Sequence, residues 1–191
     1  MQKAVFLDRD GTINVDRGYV YRIEDFEFIE KVPEAIMEMK RFGYLVIVLS
    51  NQSGVARGYY TEDDVVKLHE HINDRLLEYG TGIDGFYFCP HHPEGIVGRY
   101  RRQCGCRKPA IEMLQQAVRD FDIDMENSWI AGDRERDLFL GHDIPAKRIL
   151  LSAKQDMPSL NLPEEIYWRR KDLWEFVQKD LGEEGMSRSV L

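Results

Sequence analysis

The chain predicts an α/β fold, a mostly parallel sheet covered by helices on both faces. Short aliphatic and β-branched runs recur along it. Segments with helical spacing of apolar residues alternate with those runs, and each run ends in a polar, turn-forming cluster. The 191 residues, 43% hydrophobic and 31% charged, suffice for one domain with a proper core.

The elements follow in order. Ala4–Asp8 reads as a first strand ending in Asp8, Asp10 and Gly11. Val32, Ala35, Ile36 and Met39 mark a helix over Pro33–Phe42, with proline at an early position and Gly43 as its stop. Tyr44–Leu49 is a second strand, with Ser50-Asn51-Gln52-Ser53-Gly54 as the loop at its carboxyl end. Thr61 and Asp64 resemble a capping box that opens a helix to about Tyr79, carrying Val65, Leu68, Ile72 and Leu76. Ile83–Phe88 is a third strand. Pro109 opens a helix whose buried face is Ile111, Leu114, Ala117, Val118 and Phe121. Ser128–Ala131 is a fourth strand ending in Gly132-Asp133, Glu135–Leu140 a brief helix, Arg148–Leu151 a fifth strand and Leu173–Leu181 a last helix. Residues 1–181 form a single domain on this reading, and 182–191 carry little that could pack and read as a flexible tail.

A net charge of -8 argues against nucleic acid or an anionic membrane as the main partner. No apolar stretch reaches transmembrane length, and residues 1–7 run into a strand without a signal-peptide pattern, so a cytoplasmic protein is expected. Nothing in the chain demands an oligomer, and a monomer acting on a small molecule is the expectation.

Four polar clusters sit where strands end or helices begin: Asp8/Asp10, Ser50/Asn51, Arg107/Lys108 and Asp133/Asp137. Each alone is an ordinary turn, cap or surface charge. Together, in chain order along one sheet edge, they match what phosphoryl transfer needs: an in-line attacking group, a cation and fixed donors on the phosphoryl oxygens. Asp8 and Asp10, two apart on extended backbone, converge beyond the strand end. Asp8 would attack, while Asp10 would protonate the leaving oxygen and later deprotonate water. Ser50 and Lys108 would hold phosphoryl oxygens. Mg²⁺ would be held by Asp8, the Arg9 carbonyl or the Asp10 side chain, and Asp133.

Three cysteines, Cys89, Cys104 and Cys106, bracket a loop with His91 and His92. An odd number without a secretory pattern points away from disulfides. Three thiolates and an imidazole make a closed tetrahedral site of the structural zinc type, stapling the 89–106 loop. Spacing alone leaves open which histidine joins. His69 and His71, on a helix, read as solvent-facing.

The set Asp8-x-Asp10-Gly-Thr, Ser50-Asn51-Gln52, Lys108 and Gly132-Asp133-x-x-x-Asp137 resembles the four motifs of the haloacid dehalogenase (HAD) superfamily of phosphatases, over about residues 4–151. The resemblance implies a doubly wound, Rossmann-like sheet, Mg²⁺ dependence and an aspartyl phosphate. The zinc loop between the second and third motifs, without a large cap domain, resembles the D-glycero-D-manno-heptose-1,7-bisphosphate 7-phosphatases and the histidinol-phosphatases. The stretch from Asp8 to Val20 and that from Asn51 to Gly58 are closest to the heptose enzymes. This likeness implies Cys89, His91, Cys104 and Cys106 as zinc ligands. It also implies substrate contacts from Asp16, Arg17, Gly18, Tyr19, Ser50, Asn51, Gln52, Ser53, Arg107, Lys108 and Arg134. Arg134 stands where lysine is usual in the heptose enzymes.

The resulting expectation is a phosphatase removing the 7-phosphate of a heptose 1,7-bisphosphate, with histidinol phosphate as the alternative substrate. An inactive, zinc-stapled binding protein is the reading from another class. Intact Asp8, Asp10, Ser50, Lys108 and Asp133 speak against it. Arg99, Arg101, Arg102, Arg107 and Lys108 form a basic cluster suited to a doubly phosphorylated sugar.

Overall fold

The computed structural model describes residues 1–141, 143–152 and 166–182. Strands Ala4–Leu7 (β1), Leu45–Asn51 (β2), Gly85–Cys89 (β3), Trp129–Gly132 (β4), Lys147–Leu151 (β5) and Trp168–Arg170 (β6) form one sheet. Its order is β3-β2-β1-β4-β5-β6 and every pairing is parallel. Helices Val32–Arg41 (α1), Glu62–Leu77 (α2), Glu112–Phe121 (α3), Glu135–Leu138 (α4) and Leu173–Phe176 (α5) connect or follow the strands, and a helical turn, Val177–Leu181, extends α5.

Alternation of side chains along β1 divides the core in two. Val5 and Leu7 face α1, α2 and α5 with Val46, Val48, Trp129, Ile149 and Phe176. Ala4 and Phe6 face α3 with Ile47, Leu49, Ile130, Leu114 and Ala117. β1 is the switch point: the chain winds outward from it through β2 and β3 on one side and through β4, β5 and β6 on the other. Open parallel sheets place ligands in the crevice at the carboxyl ends beside such a point. Asp8 leaves β1 there, and Asp133 leaves β4 next to it.

Most expected elements stand within a residue or two of their predicted bounds. Thr61 and Asp64 form the capping box, with the Asp64 N–H 3.2 Å from Thr61 Oγ1 and the Thr61 N–H 2.9 Å from Asp64 Oδ2. α2 ends at Leu77, leaving Tyr79 exposed beyond it. β2 runs on through Ser50 and Asn51, which pair with Phe88 and Cys89 of β3. Pro109 does not open α3. It lies in a turn closed by the Ala110 N–H on the Arg107 carbonyl, at 2.9 Å, and the helix begins at Glu112. The buried face of α3 is accordingly Met113, Leu114 and Ala117, with Ile111, Val118 and Phe121 packed at its margin. β6 had no counterpart in the sequence pattern. His69 is not solvent-facing: it is 5% exposed and stacks on Phe86 at 4.4 Å, while His71 is half-buried against Phe26. The expected tail, apart from Gly182, lies outside the described residues.

Candidate active site

Asp8 follows β1 directly, so its backbone is set by the sheet: its N–H donates to the Ala131 carbonyl of β4 at 3.2 Å. Its Oδ1 lies 2.9 Å from Lys108 Nζ, and the same ammonium lies 2.7 Å from Asp137 Oδ1. All three side chains are almost fully removed from water, at 4%, 1% and 2% exposure for Asp8, Lys108 and Asp137. Burial pushes the Asp8 carboxyl up to about 6, with Lys108 opposing and Asp137 adding to the rise. Lys108 shifts upward as well, and for a lysine that favours the charged form. Burial alone would discharge it, but two carboxylates outweigh burial and raise its pKa. One buried lysine thus serves two buried acids. Lys108 stays charged, and Asp8 is left with surplus negative charge around it.

Lys108 is itself placed by Asn51. The Asn51 amide donates to the Lys108 carbonyl at 3.1 Å and its Oδ1 accepts the Lys108 N–H at 2.9 Å. This two-way clasp ties the turn before α3 to the end of β2.

Asp10 points elsewhere. Its carboxylate takes a paired contact from Arg9, Nη2 at 2.9 Å from each oxygen, together with Asn14 Nδ2 at 3.1 Å and Gln52 Nε2 at 3.0 Å. Arg9 is wholly buried and also donates to the Val20 carbonyl at 2.7 Å. Gln52 donates a second time, to Ser50 Oγ at 2.7 Å, and accepts from the Tyr60 hydroxyl at 2.7 Å. Burial raises the Tyr60 pKa, so its hydroxyl stays a donor and fixes which way the Gln52 amide faces. With Gln52 donating to it, the Ser50 hydroxyl keeps its own proton for an oxygen in the crevice.

Asp133 completes the edge. Gly11, at φ +86°, lets the chain turn away from Asp10, and a Cβ there would stand 2.4 Å from Asp133 Oδ2. Asp133 Oδ1 is buried with no hydrogen-bond partner, and burial followed by the Asp8 charge raises its pKa. Asp8, Asp133 and Asp137 offer carboxylate oxygens within 4.8 Å of one another. Three clustered acids, two of them paired with one lysine and the third carrying an orphaned oxygen, are a donor set that a hard divalent cation fits. The Arg9 carbonyl expected in that set is spent inside the 9–14 turn, where it accepts the N–H groups of Thr12, Ile13 and Asn14 at 3.3, 2.8 and 3.2 Å. The Asp10 carboxylate is likewise spent on Arg9, Asn14 and Gln52. The Asp10 carbonyl accepts no hydrogen bond among the described residues.

Cys89 at the end of β3, His91, Cys104 and Cys106 come together as a second group, with ligand atoms within 4.8 Å of one another. The sulfurs lie 2.7 Å apart for Cys89 and Cys106, 3.5 Å for Cys89 and Cys104, and 3.3 Å for Cys104 and Cys106. These are free cysteines. His91 turns Nδ1 to Cys106 Sγ at 3.2 Å, whereas His92 turns Nδ1 to the Glu94 N–H at 3.1 Å. Three soft sulfurs and one imidazole nitrogen around a common point fit zinc.

The remaining expected contact residues ring this edge unevenly. Asp16 accepts from Arg134 Nη2 at 3.1 Å, and Arg134 also reaches Asp133 with Nε at 3.1 Å. Arg17 is paired with Glu27. Gly18 and Tyr19 both have positive φ, +77° and +54°, and Tyr19 is exposed with its ring edge-on to Tyr59 at 4.8 Å. Ser53 opens the turn after β2, its carbonyl accepting the Arg57 N–H at 3.0 Å. Arg107 is half-buried, with one long contact of 3.4 Å to the His91 carbonyl. Sequence reasoning assigned no side-chain role to Arg9 or Tyr60, and it grouped Asp137 with Asp133 without giving it a task of its own. Asp137 had a signal, its fixed spacing from Asp133. Arg9 and Tyr60 gave none that would separate them from surface residues.

Comparison with known proteins agrees with this arrangement. The family model described as polynucleotide kinase 3 phosphatase matches residues 3–158. The chain is 45% identical over 151 residues to the D-glycero-beta-D-manno-heptose-1,7-bisphosphate 7-phosphatase of Pasteurella multocida (strain Pm70), across 79% of this chain and 82% of that one. It is 47% identical over 135 residues to the protein of that name from Escherichia coli (strain K12), across 71% of each. Among solved structures, the D,D-heptose 1,7-bisphosphate phosphatase from B. bronchiseptica, complexed with magnesium and phosphate, superimposes with a TM-score of 0.79 at 26% identity, over 95% of this chain and 99% of that one. The D,D-heptose 1,7-bisphosphate phosphatase from Burkholderia thailandensis gives a TM-score of 0.67 at 26% identity, over 94% of this chain and 99% of that one.

Proposed function

The chain belongs to the D-glycero-beta-D-manno-heptose-1,7-bisphosphate 7-phosphatase family of HAD-type phosphoric monoester hydrolases, and from that premise we propose that it removes the 7-phosphate of a heptose 1,7-bisphosphate. The single observation that carries the chemistry is the buried Asp8 carboxylate at the switch point of the sheet, 2.9 Å from Lys108 Nζ and two residues from Asp10.

Asp8 attacks phosphorus in line with the sugar oxygen. That oxygen leaves with a proton from Asp10, and the phosphoryl group stays on Asp8 as an acyl phosphate. Water then attacks phosphorus with Asp10 taking its proton, which frees phosphate and restores the Asp8 carboxylate. Lys108 and the Ser50 hydroxyl donate to the non-bridging oxygens throughout. Arg9, Asn14 and Gln52 hold the Asp10 carboxylate in one orientation for both proton transfers.

Mg²⁺ fits the carboxylates of Asp8 and Asp133 with the Asp10 carbonyl, and when bound it neutralises charge on the phosphoryl oxygens. Zn²⁺ fits Cys89, His91, Cys104 and Cys106, where it closes the loop that leads into Arg107 and Lys108. Among the described residues no helix is long and apolar enough to cross a membrane.

A phosphate-release assay comparing heptose 1,7-bisphosphate, histidinol phosphate and fructose 1,6-bisphosphate tests the proposal. The heptose compound should give the highest kcat/KM. A preference for histidinol phosphate would overturn the substrate and keep the chemistry.

A further inference from the structure

We infer that Arg148 is a positioning residue for phosphoryl transfer: its guanidinium fixes the segment that follows α4 and so holds Asp137 against Lys108. The inference rests on the phosphatase reading above, in which Lys108 serves both Asp8 and the phosphoryl oxygens.

Arg148 lies in β5, paired with Ile130 of β4, and is 4% exposed. Ile149 and Leu151 of the same strand belong to the core shared with α1, α2 and α5. Alternation turns Arg148 to the opposite face, where Leu150 packs with Leu138 of α4. There the guanidinium meets the carbonyls of one short segment. Nε donates to Leu138 at 2.9 Å, Nη2 to Gly141 at 2.6 Å and to Ile144 at 3.2 Å, and Nη1 to Ala146. Burial lowers the pKa of Arg148, and no charged neighbour among the described residues offsets it. A buried guanidinium without a carboxylate is costly unless its N–H groups are satisfied. Four carbonyls from residues 138–146 satisfy this one, and the segment is in turn gathered around the charge.

That segment matters because α4 cannot hold itself. It has four residues, Glu135–Leu138, too few for a helix to be stable through its own hydrogen bonds. Asp137 secures its start by accepting the Arg134 N–H at 3.1 Å. Its end is secured from outside, by Arg148 on the carbonyl of Leu138, the residue next to Asp137. Little slack exists at this point. A Cβ on Gly132 of β4 would stand 2.5 Å from the Asp137 Cβ, and Asp137 Oδ1 lies 2.7 Å from Lys108 Nζ. Loosening α4 opens that pair and leaves Lys108 to Asp8 alone.

The test is a double-mutant cycle of the parent, Arg148→Gln, Asp137→Asn and the double variant, read on heptose 1,7-bisphosphate and on p-nitrophenyl phosphate. Arg148→Gln should lower kcat about tenfold on both esters with KM within about twofold of the parent. Arg148→Lys, which keeps the charge and some of the donors, should restore part of that loss. In the Asp137→Asn background, Arg148→Gln should cost less than about twofold more, because the contact it protects is already gone. An equal kcat loss in both backgrounds, or a parent-like kcat with only a lower melting temperature, would make Arg148 purely structural and overturn the inference. If Arg148→Gln does not fold, Arg148→Lys takes its place in the cycle under the same criteria. A parent that hydrolyses p-nitrophenyl phosphate but not the heptose compound defeats the heptose substrate, and the generic ester then decides Arg148. With no turnover of either ester the phosphatase reading fails by itself. Urea unfolding of the same four proteins then decides the coupling: non-additive stability losses support it and additive losses overturn it.

Discussion

Asp137 reaches Lys108 inside the protein, Oδ1 to Nζ at 2.7 Å, and competes there with Asp8 for one ammonium. Its other oxygen accepts the Arg134 N–H at 3.1 Å, so the same side chain also caps α4. Asp137→Asn keeps an acceptor for the cap and removes the charge. Lys108 would then be drawn wholly onto Asp8, pairing the nucleophile it should leave available. Turnover should fall by about 10- to 100-fold, or about 1.4–2.7 kcal/mol of barrier, with the fold intact by circular dichroism. Turnover within twofold of the parent would show that Asp137 merely caps the helix.

Crowded carboxylates also set a pH dependence. The Asp8 carboxyl, pushed up to about 6 from an ordinary 3.8, binds its proton more tightly folded than unfolded. Stability from this group is therefore greatest below the unfolded value and is lost as pH rises through about 6. A divalent cation replaces the missing proton, so Mg²⁺ should raise Tm more at about pH 7.5 than at about pH 5. The difference between the two pH values should shrink in Asp8→Asn. A thermal-melt series with equal Mg²⁺ shifts at both pH values would count against the cation sitting on this cluster.

The sulfur cluster makes a separate prediction. Cys104→Ser should lower both zinc content and melting temperature, and saturating Mg²⁺ should restore neither. His91→Ala should lose more zinc than His92→Ala, because only His91 faces the sulfurs. Purified parent protein that holds no zinc and retains full activity would refute a structural zinc.

Tyr60 acts at one remove from the chemistry. Its hydroxyl holds Gln52, which in turn donates to both Asp10 and Ser50. Tyr60→Phe keeps the ring, which stacks on Tyr21 at 4.9 Å, and deletes only that bond. A loss of about 1 kcal/mol, about fivefold in kcat with little change in KM, is expected. A matching change in the acid limb of the pH–rate profile would mark it as positioning Asp10. A parent-like kcat would free Gln52 from dependence on Tyr60.

Much of this was legible in the sequence, for reasons that differ by residue. β1, β2 and β4 are continuous apolar runs because both faces of the sheet are covered, and such runs show without any partner. Trp168–Arg170 has no such pattern: it is a strand because its backbone pairs with Ile149–Leu151, which no local signal reveals. His69 misled because it occupies a helix position between apolar residues, and only Phe86 on the neighbouring strand decides its burial. Asp8, Asp10 and Asp133 were readable as chemistry because acids at strand ends have little structural reason to cluster. Arg9 was not. Its charge argues for the surface, and only the fold shows that it is buried to hold the acid beside it. That the Arg9 oxygen is taken up inside the tight 9–14 turn could not be read either, because that turn depends on backbone geometry.

The central claim, that Asp8 is the attacking group of a phosphatase, is tested most directly by Asp8→Asn. This change keeps the shape of the side chain and removes both its nucleophilic charge and its hold on a cation. Phosphate release should fall by at least about a thousandfold, with melting temperature and zinc content close to the parent. Release within about tenfold of the parent would contradict attack by Asp8 and the covalent route built on it.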